Sequence, residues 1–112
     1  AEKAARKEAI QSATKYATEV PFKTMEKAFE TFELLAAMIE IGNPNSVTDA
    51  GVGALAAKAA VSGAYLNVKI NASGLSDTAF ASDILGRGAI IEAQARKMEE
   101  ELLDMVNAKI IG

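Results

Sequence analysis

Residues 42–71 read GNPNSVTDAGVGALAAKAAVSGAYLNVKIN, and how this stretch is read decides the fold. A turn of Gly42, Asn43, Pro44 and Asn45 opens into a run poor in bulky side chains, with Asp49 near its start and Asn67 and Asn71 near its end. At about 3.6 residues per turn the run predicts a helix from about Val47 to Ile70, on which Asp49, Gly53, Ala56, Ala60, Gly63, Asn67 and Asn71 share one side. A stripe of small residues with polar groups at both ends lets a second helix, or a flat ligand, come close to the backbone. The adjoining stripe of Val52, Leu55, Ala59, Leu66 and Ile70 reads as core, and Lys58, Tyr65 and Lys69 mark a third, wetter side. A glycine inside a helix costs roughly 1 kcal/mol against alanine, so Gly53 and Gly63 need a packing or binding reason.

Upstream, Glu2 to Glu19 carries a weakly apolar helical pattern, with Ala9, Ala13, Tyr16 and Val20 on one side. Val20-Pro21 interrupts it. Proline lacks the N–H of the helical ladder and pushes its predecessor toward extended backbone, which predicts a new helix starting at Pro21, with a kinked single helix as the alternative. From there Met25, Phe29, Phe32, Ala36 and Ile39 recur at helical spacing, with Glu26, Lys27, Glu30 and Glu33 mostly outside that stripe. Gly42 suits the left-handed position just past a helix end, and Pro44 follows as a stop signal.

Downstream, Asn71, Ser73 and Gly74 close the central helix, and Ser76-Asp77 can cap the next. Gly86 and Gly88 predict a split of the last run into a short helix at about 77–85 and a long one at about 89–110. On the latter Ile91, Ala95, Met98, Leu102 and Met105 form the apolar stripe. Alternation with period two is nowhere sustained. The expectation is an all-α, up-and-down bundle of about four to five helices with no sheet.

Composition narrows the chemistry. The chain has 112 residues, 50% of them hydrophobic, enough for one core and a single domain over residues 1–112. Its 12 basic and 15 acidic residues include no basic block, so the electrostatic footprint of a nucleic-acid binder is missing. With no cysteine there are no disulfides or thiolate ligands, which is compatible with a reducing cytoplasm. With no histidine either, no metal site is expected, and any acid–base step falls to carboxylate, lysine or tyrosine. The least polar run, 50–66, contains Lys58 and is too short to span a membrane, so a soluble chain is expected.

GNPNSVTDAGVGALAAKAA followed by GAYLNVKIN resembles the signature segment of the formiminotransferase-cyclodeaminase family, which includes methenyltetrahydrofolate cyclohydrolases and proteins named serine cycle enzymes. The positions that carry the resemblance are Gly42, Asn43, Asp49, Asn67, Val68, Ile70 and Asn71. It extends more loosely to the helix after Val20-Pro21 and to the last helix. The chain resembles the C-terminal portion of a domain usually near twice its length, whose earlier glycine-rich PGGGS-type segment it does not contain. The resemblance implies a folate-dependent one-carbon enzyme acting on a tetrahydrofolate derivative, with no tightly bound cofactor. The reaction is hydrolysis of 5,10-methenyltetrahydrofolate to 10-formyltetrahydrofolate or, as the alternative, formiminotetrahydrofolate cyclodeamination with release of ammonia. A further alternative is a non-catalytic helical oligomerisation module. A homodimer or higher homo-oligomer is expected.

In the catalytic readings Asp49 offsets amidinium charge and moves a proton, while Asn43, Asn67 and Asn71 hold the pterin edge. Lys58 and Lys69 would meet the glutamate tail. Asp49 and Asn67 stand about 27 Å apart along one helix, so they cannot serve the same atom of one folate head. Each candidate also has a plainer reading. Ser46-Val47-Thr48-Asp49 fits an S-x-x-D capping pattern, Asn43 a turn, Asn67 and Asn71 a helix C-terminus, and the lysines a solvated surface.

Overall fold

The computed structural model describes residues 1–111. Three long helices, α1 (Glu2–Ile41), α2 (Val47–Ala72) and α3 (Thr78–Ile111), run up, down and up, with a single 3-10 turn at Pro44–Ser46 before α2. The class matches expectation, and the helix count is lower. The molecule is a rod of 69 × 18 × 16 Å, in which α1 packs chiefly on α2 and α2 on α3. Residues 1–10 of α1 are exposed throughout and run past the end of the bundle, where partners for α1 begin only at Gln11.

The expected break at Pro21 is absent, because α1 continues through it. A proline at 21 leaves the carbonyl of Ala17, four residues earlier, without its ladder donor. That carbonyl accepts a hydrogen bond of 2.9 Å from Nδ2 of Asn71, on the last turn of α2. A side chain 54 residues away supplies the donor that proline withholds. The same end of the bundle is clamped by Gln11, whose Nε2 donates to the Gly74 carbonyl at 3.2 Å and whose Oε1 accepts from Ser76 N–H at 2.8 Å and Ser76 Oγ at 3.1 Å. Asp77 then caps α3 as expected, with Oδ1 accepting from Phe80 N–H at 3.1 Å. Lys15 Nζ donates to the other carboxylate oxygen at 2.8 Å, and this bond, with that from Phe80, holds the Asp77 carboxyl below its ordinary pKa. At the opposite end Lys109 Nζ donates to the carbonyls of Ile39 and Glu40, satisfying acceptors that the end of α1 leaves open.

The expected split of α3 at Gly86 and Gly88 is also absent. Gly88 serves a close approach. A Cβ there would lie 2.5 Å from the ring of Tyr65, which fills the notch and donates its hydroxyl to the Leu85 carbonyl at 2.8 Å. Burial, with a smaller contribution from Glu92, pushes the Tyr65 phenol up from its ordinary value. Tyr65 is therefore core, against the wetter side expected for it. Gly51 receives Val106 from α3 in the same way, and Gly53 receives Leu35 from α1. Gly42 ends α1 in extended backbone, and no described glycine has positive φ. A Cβ at 42 would instead run into the Met38 carbonyl.

The anchors expected on α1 and α3 hold. Met25, Phe32, Ile39, Ala95 and Leu102 are buried, while Phe29, Ala36, Ile91, Met98 and Met105 are partly buried against them. On α2 the buried side is Ala50, Ala54, Ala57, Val61, Ala64 and Val68, and the stripe expected as core faces outward, with Val52 64% and Leu66 63% exposed. Leu55, Ala59 and Ile70 are exposed too. The reason is spacing between helices. Alanines in the seam let α1 and α3 approach the α2 backbone, where larger side chains would hold them off.

Two kinds of glycine follow, and they predict opposite signs. Gly88→Ala overpacks the Tyr65 notch and is expected to lose about 1–3 kcal/mol. Gly63→Ala and Gly86→Ala meet nothing within 4 Å and are expected to gain about 0.5–1 kcal/mol from helix propensity. Urea unfolding of the three variants checks the ranking, and equal melting of all three contradicts the Tyr65 notch.

Candidate functional site

The residues singled out by the sequence do not converge on one pocket. Asn43 and Asp49 share one end of α2, across the 3-10 turn, and both are exposed. Asn43 Oδ1 accepts from Asn45 N–H at 2.9 Å, which is the turn reading of this residue. Asp49 lies in the first turn of α2, where the helix dipole favours a carboxylate. Ser46 makes no side-chain capping bond, so the reciprocal pattern of a capping box is not formed.

Asn67 and Asn71 lie at the other end of the helix, about 27 Å from Asp49 at 1.5 Å per residue. Asn67 is exposed. Asn71 is half-buried, and its amide nitrogen is engaged by Ala17. Lys58 and Lys69 sit about 160–180° round the helix from Asp49 and Asn67, on the side that faces α3. Lys58 is half-buried there, and Lys69 places its ammonium 4.4 Å from the centre of the Tyr65 ring. What the sequence puts on one stripe is an open helix face bearing Asp49, Ala56, Ala60, Gly63 and Asn67, with the lysines round the back.

The concavities lie elsewhere. A cleft of about 170 Å³ between α1 and α3 is lined by Glu19, Phe22, Lys23, Glu26, Phe80, Asp83, Ile84 and Arg87. Arg87 stacks 4.6 Å from the Phe22 ring and reaches Asp83 at 3.5 Å, so its walls already pair with one another. A site for a folate-sized ligand is typically some 300–1,000 Å³. A broader depression of about 410 Å³ runs along Phe29, Phe32, Ala36 and Met98, with Glu30 and Glu33 at its walls. Among the described residues no cluster of three or more acidic side chains could hold a metal ion, and no helix is long and apolar enough to cross a membrane.

Sequence reasoning missed Gln11, Lys15 and Lys109, whose partners lie 62 to 70 residues away. No local pattern marks a side chain that reaches across the bundle. Tyr65 could have been found, because an aromatic at 65 shares a side with Val61 and Val68.

The profile of the family described as formiminotransferase-cyclodeaminase matches residues 1–89. The chain is 40% identical over 109 residues to a protein of Methylorubrum extorquens named methenyltetrahydrofolate cyclohydrolase, an overlap covering 97% of this chain and 52% of the relative. It is 28% identical over 101 residues to the formimidoyltransferase-cyclodeaminase of Rattus norvegicus, covering 90% of this chain and 19% of the relative. The chain thus spans about half the length of the first of these relatives and a smaller part of the second.

The asparagines separate by structural role. Asn43→Ala removes the acceptor for Asn45 N–H and is expected to cost about 0.5–1.5 kcal/mol. Asn67→Ala, at an exposed position, should unfold within about 0.5 kcal/mol of the parent. Thermal unfolding of the two variants makes the comparison, and a large loss in Asn67→Ala would reveal a contact made by this face.

Proposed function

The chain belongs to the formiminotransferase-cyclodeaminase family, and on that premise we propose that it contributes to a folate-dependent one-carbon site that hydrolyses 5,10-methenyltetrahydrofolate to 10-formyltetrahydrofolate. The observation that carries this reading is the 40% identity, along nearly the whole chain, to a relative named for that reaction. Asp49 is the residue we assign to the chemistry. Water adds to the cationic carbon held between N5 and N10, and the carboxylate takes its proton. The bond from that carbon to N5 then breaks, N5 regains a proton, and the formyl group stays on N10 with net release of one proton. Its place in the first turn of α2, exposed beside the small residues of the open face, supports this role.

The small residues beside Asp49 leave the helix backbone open to a flat ring. Asn43 and Asn67 are the amides we assign to ligand contact, Asn67 to a part of the ligand away from the reacting carbon or to a second molecule. Asn71 has one amide function committed to Ala17 and keeps its carbonyl oxygen for such a contact. Lys58 and Lys69 would reach a glutamate tail only by passing round the helix.

The second reading is cyclodeamination, in which N10 attacks the formimino carbon and ammonia leaves. The name of the rat relative favours it. Both reactions use one substrate skeleton and one kind of carboxylate, so product analysis with each substrate decides between them.

The test begins with binding. A ligand that binds only the native state at about 100 times its Kd adds roughly 2.7 kcal/mol of stability. Saturating 5-formyltetrahydrofolate should therefore raise the melting temperature by several degrees. In any preparation that turns over, Asp49→Asn should keep the fold, losing no more than about 1 kcal/mol of charge–dipole interaction. Its turnover should fall roughly 10²- to 10⁴-fold. Absence of both a thermal shift and turnover would leave the non-catalytic helical module as the reading.

A further inference from the structure

Ala17 and Leu35 mark the side of α1 that faces α2, since Asn71 reaches the first and Gly53 receives the second. The same two contacts set the level of one helix against the other. At about 100° per residue, Thr24 lies about 20° and Lys27 about 80° round α1 from that side, both turned away from the core. On α2, Ala60 lies about 20°, and Asp49 and Asn67 about 40°, from the side that meets α1, again away from the core. Asp49, Asn67 and Lys27 therefore border one outer groove between α1 and α2. Along it Lys27 stands about 18 Å and Lys23 about 24 Å from the level of Asp49, and Asn67 comes within about 3 Å of the level of Lys23. The two lysines are exposed and share a depression of about 410 Å³ on α1 with Tyr16, Glu19, Val20 and Thr24. One turn separates them, with about 5–6 Å between Cβ atoms, and like charges at that spacing repel. Glu19 stands at the far edge, where it also borders the cleft toward α3. Lys27 approaches Glu30 at 3.5 Å, but with the two side chains 81% and 64% exposed that pair yields readily to another anion.

We propose that Lys27 and Lys23 of α1 hold the two carboxylates of the ligand's glutamate tail, with Asn67 beside them on the amide that joins the tail to the aminobenzoyl ring. The proposal rests on the folate reading and deepens it, because it gives the tail a site on the same side of the bundle as Asp49. Lys58 and Lys69 face α3 and do not offer that. The ligand lies along the groove with its reacting carbon at Asp49, its flat aminobenzoyl ring over Ala56 and Ala60, and its glutamate at the lysine pair. The aminobenzoyl bridge and the four-carbon stems of the lysines take up the span from Asp49. Two ammonium groups one turn apart match a dicarboxylate, and a doubly charged anion between them relieves their mutual repulsion. Asn67, too far along α2 to serve the reacting carbon, thereby acquires a partner.

Titration calorimetry with 5-formyltetrahydrofolate, and with 5-formyltetrahydropteroate, which lacks the glutamate, tests the assignment. The parent is expected to bind the pteroate at least tenfold more weakly than the folate. Lys27→Met should weaken folate binding about tenfold and leave pteroate binding unchanged, with helical circular dichroism kept and most of the loss restored in Lys27→Arg. Lys23→Met should act in the same direction, whereas Lys97→Met, exposed on α3, should change neither affinity and so controls for net charge. In a preparation that turns over, Lys27→Met should raise KM with kcat kept, the mark of binding shared by ground and transition states. Folate binding that is unchanged in Lys27→Met overturns the tail site and leaves the folate reading standing. A parent that binds the pteroate as tightly as the folate does the same. A parent that binds neither ligand overturns the folate reading and the tail site with it.

Discussion

The hydrogen bond from Asn71 to the carbonyl of Ala17 is the constraint on which the arrangement of α1 and α2 depends. Pro21 removes the ladder donor for that carbonyl, and a proline inside a helix ordinarily costs about 3 kcal/mol or more. Here α2 ends where its last asparagine can supply the missing donor, so the defect in one helix fixes the level of the other. The Gln11 clamp on Gly74 and Ser76, the Lys15–Asp77 pair and the Asp77 cap then follow within one end of the bundle. The first two join α1 to the turn that launches α3. The exposed Lys15–Asp77 pair contributes little by itself, and its value is in position.

The N-V-x-I-N segment of this chain therefore has a structural part. An asparagine that closes the N-V-x-I-N segment can hold the backbone of a neighbouring helix while the rest of the segment presents a flat face. Asp49 and Asn67 lie on that face, and the concavities between α1 and α3 do not include them.

Much of the fold was legible in the sequence, and the reasons are local. The GNPN turn and the Asn-Ala-Ser-Gly end bound α2 within two residues, and the stripes through Phe32 and Leu102 identified the buried sides of α1 and α3. The misreadings came from interactions that sequence distance hides. Pro21 reads as a break until Asn71 is brought to it, and Gly88 reads as a break until Tyr65 fills it. On α2 nearly every side is apolar, so periodicity could not choose the buried one, and bulk chose wrongly in favour of Val52 and Leu66. Of the candidate site, the resemblance only nominated the residues. Their separation along 18 residues of helix was legible, while the turning of Lys58 and Lys69 toward α3 depended on which side of α2 is buried.

A double-mutant cycle on Pro21 and Asn71 tests the central claim most directly, with unfolding free energies of the parent, Pro21→Ala, Asn71→Ala and the double variant. Alanine at 21 restores an N–H for the Ala17 carbonyl, so Asn71→Ala should cost about 1 kcal/mol in the parent and at least 0.5 kcal/mol less in the Pro21→Ala background. Additive costs, with Asn71→Ala equally harmful in both backgrounds, would mean that Asn71 does not compensate the proline and that the level of α1 on α2 is set by packing alone.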